Sequence, residues 1–271
     1  MSGVRSVHFH PGGWLVVSGL DGLFRWPVLP EVGLRLGKRE LILAPRKNFE
    51  RSFLSADGSF VAVAGSTEGV ILPWDHPDQA VRIAGSPESR LNEISISPDG
   101  KLLATGTWNG TGPAVWDAHS GALVRRLPGG RQGLAVFMPD GRHLLVVSDF
   151  NIALLETQRW EPAQLGVLGS DKLKGRRPAF SPNGRLLALA TPEERTLLLD
   201  AQTGQEIAML TSPDPQPVRR LVFSKDGETL AAATDNFEVQ LWNLPALRRD
   251  LARLGLDWPD ENPGEGFAPR R

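Results

Sequence analysis

A short turn phrase ending in glycine recurs six times along the 271-residue chain, and its spacing constrains the fold more than any other feature. The residues just before it are Phe9, Leu54, Ile96, Phe137, Phe180 and Phe223, separated by 45, 42, 41, 43 and 43 residues. The turns read His-Pro-Gly-Gly at 10–13, Ser-Ala-Asp-Gly at 55–58, Ser-Pro-Asp-Gly at 97–100, Met-Pro-Asp-Gly at 138–141, Ser-Pro-Asn-Gly at 181–184 and Ser-Lys-Asp-Gly at 224–227. Proline presets φ, Asp or Asn bonds its own backbone, and glycine accepts a positive φ. That chemistry joins antiparallel strands in a hairpin.

Each turn is followed by a short apolar run: Trp14–Val17, Phe60–Ala64, Leu102–Ala104, His143–Val147, Leu186–Ala190 and Thr229–Ala233. Small, aliphatic and β-branched residues dominate, as in a strand buried on both faces. A second turn and a third strand come next, ending near Trp26, Trp74-Asp75, Trp116-Asp117, Leu155-Glu156, Leu199-Asp200 and Trp242-Asn243. A fourth strand fits Glu40–Leu43, Ala80–Ile83, Leu123–Leu127, Ala163–Val167 and Gln205–Leu210. Four strands per unit, repeated at a period of roughly 40–45 residues, predict an all-β propeller.

Phrases such as Phe180–Ala190 with Thr196–Asp200, and Ile96–Thr107 with Ala114–Asp117, resemble the WD40-repeat family, and the resemblance runs from residue 4 to 243. It implies six four-stranded WD40-type blades, with Trp26, Trp74, Asp75, Trp116, Asp117 and Trp242 as structural repeat residues. The Gly-His pair usual before the first strand is missing from every repeat, and Leu155 and Leu199 replace two tryptophans. In the family that histidine joins an Asp, a Ser or Thr and the Trp in a buried hydrogen-bonded network. Here the network is expected to be incomplete, with packing carrying more of the stability.

The first strand is expected at Val4–Phe9, and the sixth repeat ends on its third strand at Glu238–Trp242, so the last blade lacks its outer strand. The propeller is assigned to residues 1–244, an amphipathic helix packing on it to 245–258, and a disordered tail to 259–271. Asn243 can cap the helix, Pro245 suits its first turn, Leu247, Leu251 and Leu254 form one stripe, and Gly255 stops it. Leu256 and Trp258 would anchor the segment on the propeller. The ending from Leu244 to Trp258 is similar to C-terminal extensions of bacterial WD-repeat proteins. Two readings of the ends stay open: the helix covers the exposed edge of the last blade, or the chain is the C-terminal part of a larger propeller.

Charge excludes little and cysteine excludes much. Lys plus Arg number 30 against 31 Asp plus Glu, so nothing global argues for nucleic acid or an anionic membrane. The absence of cysteine removes disulfides and thiolate metal sites and suits a reducing cytosol. No signal peptide and no membrane-length apolar run is read, and a cytoplasmic location is expected. Neither a Gly-x-Ser-x-Gly elbow nor a glycine-rich phosphate loop occurs, and no cofactor is expected. Of the histidines His8, His10, His76, His119 and His143, only His8 and His10 have ligand-like spacing, and the plain reading is a polar strand face. Asp57, Asp99, Asp140 and Asp226 recur at the turns and are read as hairpin-shaping.

The candidate binding surface is the top face, where turns bearing Asp21, Glu68, Asp149, Glu193, Glu194 and Asp235 meet arginine-bearing loops. Four residues before each marker stand Arg5, Glu50, Asn92, Gly133, Arg176 and Arg219. Arg5, Arg176 and Arg219, thickened by Lys172, Lys174, Arg177 and Arg220, form an expected basic sector for an acidic or phosphorylated peptide. The expected function is a non-catalytic interaction scaffold, a regulatory module of a larger bacterial signalling protein. A metal-assisted propeller hydrolase and an assembly unit using the open blade edge are the alternatives. Mainly apolar innermost strands, such as Val4–His8 and Leu134–Phe137, count against the hydrolase.

Overall fold

Residues 3–29, 35–44, 49–55, 57–65, 68–84, 91–108, 110, 112–127, 133–148, 152–161, 178–191 and 193–256 are described by a computed structural model. They form antiparallel meanders in the arrangement of a β-propeller, followed by one helix. The first sheet holds β1 (Val4–His10), β2 (Trp14–Gly19), β3 (Gly22–Leu29), β4 (Arg35–Leu36) and β5 (Glu40–Leu43). The second holds β6 (Phe49–Leu54), β7 (Phe60–Gly65), β8 (Glu68–Pro73) and β9 (Val81–Ala84).

A seven-stranded sheet follows, made of β10 (Leu91–Ile96), β11 (Leu102–Thr107), β12 (Ala114–Asp117), β13 (Leu123–Arg126), β14 (Gly133–Phe137), β15 (His143–Ser148) and β16 (Ile152–Glu156). The third and fourth repeats are therefore not separate sheets. One pairing, Thr107 with Gly133, joins their meanders, since the innermost strand β14 starts beside the end of β11. The next sheet contains β17 (Ala179–Phe180), β18 (Leu186–Ala190), β19 (Thr196–Asp200) and β20 (Glu206–Leu210). The last contains β21 (Val218–Phe223), β22 (Thr229–Thr234) and β23 (Val239–Asn243). No fourth strand is paired on β23 among the described residues. The short β4, paired with the end of β3, is an addition to the expected four strands. The strand expected at 163–167 lies outside the described residues.

The turn chemistry explains the hairpins. All six turn glycines, Gly13, Gly58, Gly100, Gly141, Gly184 and Gly227, take φ between 68° and 79°, the left-handed region that side chains avoid. In five turns a side chain fixes the geometry as well. Asp57, Asp99, Asp140, Asn183 and Asp226 each accept the backbone N–H two residues ahead. Ser55, Ser97, Ser181 and Ser224 hydroxyls donate to the same acceptors and receive the N–H that opens the following strand.

Because side chains alternate, each meander has two apolar faces. One face, here called the front, packs on the preceding meander, and the back packs on the next. Among the described residues a hydrophobic cluster occupies each such contact. Val16 and Leu23 from the back of the first sheet meet Val61, Val70 and Leu72 from the front of the second. Ala62 and Ile71 meet Ile94, Leu103 and Trp116. Val115 meets Phe137 and Leu155, Leu145 meets Leu187 and Leu199, and Leu198 meets Leu221 and Leu230. Each such Leu or Val, fully covered, stabilises the fold by about 1.5–3 kcal/mol.

The helix α1 (Leu244–Arg253) starts one residue earlier and stops sooner than the sequence suggests. Asn243 Oδ1 accepts the Ala246 N–H at 2.8 Å, Pro245 sits in the first turn, and Gly255 has φ +70°. Leu244 and Leu247 join the cluster between the last two sheets, while Leu254 and Leu256 are exposed. The helix thus leans toward the preceding sheet. Trp258 and the tail expected at 259–271 lie outside the described residues. No described helix is long and apolar enough to cross a membrane.

Candidate functional site

Strand register first decides which repeat residues are equivalent. Ile96 pairs with Leu103, which pairs with Trp116; Phe223, Leu230 and Trp242 repeat the triplet, as do Phe9, Leu15 and Trp26. Leu155 and Leu199 hold the tryptophan position in two further meanders and are fully buried, so packing does replace the indole there. In the second sheet the triplet is Leu54, Val61 and Leu72. Trp74, expected at that position, instead lies past the end of β8, its N–H bonded to Ser59 O at 2.8 Å. The β7–β8 hairpin brings Leu72 into register first, which shifts Trp74-Asp75 out of equivalence with Trp116-Asp117. Displaced Trp74 meets the first sheet: His10 stacks on it at 3.8 Å, Trp14 lies edge-on, and the Arg25 guanidinium sits 4.9 Å from its ring centre.

Fragments of the expected tryptophan network remain. Trp116 Nε1 donates to Thr105 Oγ1 at 2.9 Å inside the core. Trp242 Nε1 is buried with no hydrogen-bond partner among the described residues. Asp117 anchors the β12–β13 turn, accepting from the N–H groups of His119 and Ser120 and from the Ser120 hydroxyl. Asp200 does the same with Gln202 and Thr203. The aspartate after the third strand is thus a turn former in these meanders.

His8 and His10 do not face each other as a ligand pair. His8 Nε2 donates to Ser52 O at 2.9 Å, and burial pushes its pKa down, with the Arg220 charge acting the same way against the Ser52 bond. His10 Nε2 donates to Gly58 O and its Nδ1 accepts the Gly12 N–H. Both histidines tie the first sheet to the second. His143 Nδ1 lies 2.6 Å from Asp140 in its own turn. No group of three or more metal-ligating side chains exists among the described residues.

The expected basic sector divides into three parts. Lys172, Lys174, Arg176 and Arg177 lie outside the described residues. Arg5 is exposed at the start of β1, and Arg219 is exposed and forms an ion pair with Asp235 of the β22–β23 turn. Arg220, the next residue of β21, is half-buried, and its charge acts on both His8 and Glu93. The described part of the sector therefore leaves Arg219 in solvent and Arg220 partly enclosed. Sequence reasoning grouped them as neighbours; in the fold Arg219 is the unpaired residue of a bulge between the paired Val218 and Arg220.

Arg220, Arg51 and Glu93 occupy the same position, three residues before their markers, on three innermost strands. Burial pushes the Glu93 carboxyl above its ordinary range, against the pull of Arg220 and then Arg51. Among the described residues, the innermost strands thus bring the Glu93 carboxylate within reach of the Arg220 and Arg51 charges.

The faces at the two ends of the strand series differ from all others. Phe9 is 66% exposed and Val7 52%, whereas Ile96 and Ile94, at the same register on β10, are 4% and 1% exposed. Leu241 and Val222, on the back of the last sheet, are 68% and 56% exposed; Val115, equivalent to Leu241, is fully buried. Leu41 and Val239 are also exposed. So, among the described residues, no sheet packs on the front of the first sheet or the back of the last; both are apolar and exposed toward the innermost and outer strands, while Val17 and Phe24 in the middle of the first front are buried.

Comparison with known proteins agrees with this frame. The model of the "WD domain, G-beta repeat" matches residues 79–111 and 204–243. Echinoderm microtubule-associated protein-like 2 of Mus musculus is 24% identical over 230 residues, covering 76% of this chain and 35% of that protein. WD repeat-containing protein SL1-17 of Schistosoma mansoni is 25% identical over 193 residues, covering 67% and 61%. An uncharacterised WD repeat-containing protein, sll1491, of Synechocystis is 24% identical over 152 residues, covering 56% and 43%. The match to this chain spans about a third of the mouse protein's length.

Proposed function

We propose that this chain, a WD40-repeat β-propeller protein, is a non-catalytic scaffold of six blades that binds protein partners. The observation carrying this reading is how the repeated acids are used. Asp57, Asp99, Asp117, Asp200 and Asp226 all accept hydrogen bonds within their own turns. These bonds lower the pKa of Asp99, Asp117 and Asp226 from the usual carboxylate value, and at Asp57 they outweigh the opposing effect of partial burial. The repeated positions build the frame, and the variable loops carry the surface charge. None of the relatives' names given above denotes an enzyme.

Within this reading the partner is an acidic or phosphorylated segment held by the arginine sector of the top face, with Arg5 and Arg219 contributing and Lys172, Lys174, Arg176 and Arg177 as further members. Arg219 already holds a carboxylate, that of Asp235, which an incoming phosphate with more acceptor oxygens would displace. The setting is a module of a larger signalling protein. An array of acidic and phosphorylated peptides tests the reading. Reversing Arg5, Arg176 and Arg219 together to Glu should weaken binding at least about tenfold while leaving Tm unchanged. Equal binding by the reversed protein overturns the arginine sector as the site.

A further inference from the structure

We propose that the exposed front of the first sheet and the exposed back of the last are two halves of one blade–blade interface, filled by a single antiparallel β-sheet element donated by another protein. This surface is separate from the arginine sector, and the inference needs only the propeller frame.

Continuity with the internal interfaces carries the argument. Inside the molecule, each front is mated by the back of the preceding meander, aliphatic against aliphatic. The first front repeats that pattern in register with Val7, Phe9 and Trp26, and the last back repeats it with Val222, Ala231 and Leu241. An occupant that satisfies both must itself present apolar residues on two opposite sides. Alternation along strands gives a sheet that property, whereas an amphipathic helix offers one stripe. A second copy fits poorly, because its terminal sheet arrives with its neighbouring sheet attached, in the volume held by this chain's own end. Exposed apolar surface of this extent marks an interaction site.

Charge sharpens the chemistry. Arg220 projects from the same face as Val222 and Ala231, and Arg39 lies over the Phe24 ring on the first front. The donated element therefore carries an acidic residue on its innermost strand, toward Arg220.

The probe is the protein's own meander 91–127, with its front Ile94 and Ile96 and its back Ala104 and Val115, joined to the N-terminus of the full chain by a flexible glycine-serine linker. The fused protein should gain Tm by several degrees (~5 °C) and lose most of the dye fluorescence that exposed apolar faces give. Phe9→Asp or Leu241→Asp should abolish that gain while leaving the unfused chain's Tm unchanged. No gain on fusion, or an equal gain in both variants, overturns the proposal. Photocrosslinker at position 9 or at position 241 of the unfused chain, in its source cell, should label one and the same other protein from both positions. A crosslink to a second copy, a 9-to-241 link within one chain, or different proteins from the two positions also overturns it. Binding by the Arg219→Glu variant separates the surfaces: it fails on the peptide array and keeps the crosslink.

Discussion

Ile96 and Phe9 occupy the same place in their repeats, one before the turn on an innermost strand, yet they live in different environments. Ile96 is enclosed by the second sheet behind it and by Leu103 and Trp116 beside it. Phe9 has Leu15 and Trp26 beside it and no sheet in front of it among the described residues. The same contrast holds between Val115 and Leu241 on the opposite faces. Apolar residues are thus written into both halves of an interface by the repeat, whether or not the mate is present. Burial, and with it stability, comes from stacking and not from the pattern.

The largest expected effect is the split between these matched positions. Ile96→Ala or Ile94→Ala should cost about 2–5 kcal/mol, because the cavity forms in a closed interface. Phe9→Ala or Val7→Ala should change stability by about 0.5 kcal/mol or less, as at surface sites. Denaturant titration of the four variants reads the difference. Equal losses in both pairs would mean that the first sheet's front is covered in solution.

Much of this was legible in the residues, and what was not has identifiable causes. The turn phrase carries its own conformational demand, so six hairpins and the strand after each could be placed directly. The tryptophan register could not. From marker to equivalent residue the distance is 17 for Trp26, 18 for Leu72, 20 for Trp116 and 19 for Trp242, because hairpin lengths vary. Trp74 stands 20 from Leu54 and followed by Asp75, so it matches the linear pattern; only the pairing of Val61 with Leu72 reveals the slip. The open faces were equally hidden, since Phe9 and Ile96 read alike in a sequence. The difference between Arg219 and Arg220 was hidden too, since it involves a bulge at Arg219 that only the strand pairing reveals.

A second comparison concerns the two indoles on closed interfaces. Trp116→Phe removes a buried hydrogen bond to Thr105, whereas Trp242→Phe removes a buried N–H with no partner among the described residues. The first should be the more destabilising by about 1 kcal/mol, and Trp242→Phe should approach neutrality. Thermal unfolding of the pair decides this. If Trp242→Phe costs as much, its indole N–H is satisfied in solution.

His8 and Glu93 should give the propeller opposite pH slopes. His8 is held neutral, so its folded pKa lies below the ordinary 6.5. The unfolded chain then binds more protons, and stability falls as pH drops below about 6.5. Glu93 has a folded pKa above its ordinary 4.5, so the folded state binds more protons there. Stability on its account falls as pH rises from about 4.5 through the raised value. His8→Gln should flatten the acid limb of a Tm-versus-pH curve, and Glu93→Gln should raise Tm at neutral pH while leaving it unchanged near pH 4. Unchanged curves would place both groups in ordinary solvent.

The smallest effect compares two ion pairs of the same chemistry. Arg25 bonds Glu40 at 2.7 Å while lying over Trp14 and Trp74, so its stem and plane are part of the closed contact between the first two sheets. Arg25→Ala therefore loses cation–π and packing contacts besides the charge, about 1 kcal/mol. Arg219 pairs with Asp235 in open solvent, where screening and side-chain entropy leave such pairs little net worth. Arg219→Ala should leave Tm unchanged, and added salt should change neither protein's Tm differently. A loss on Arg219→Ala equal to that of Arg25→Ala would mean that the end of the last sheet is packed as firmly as the first interface. The division between closed contacts and open faces would then fail at its weakest point.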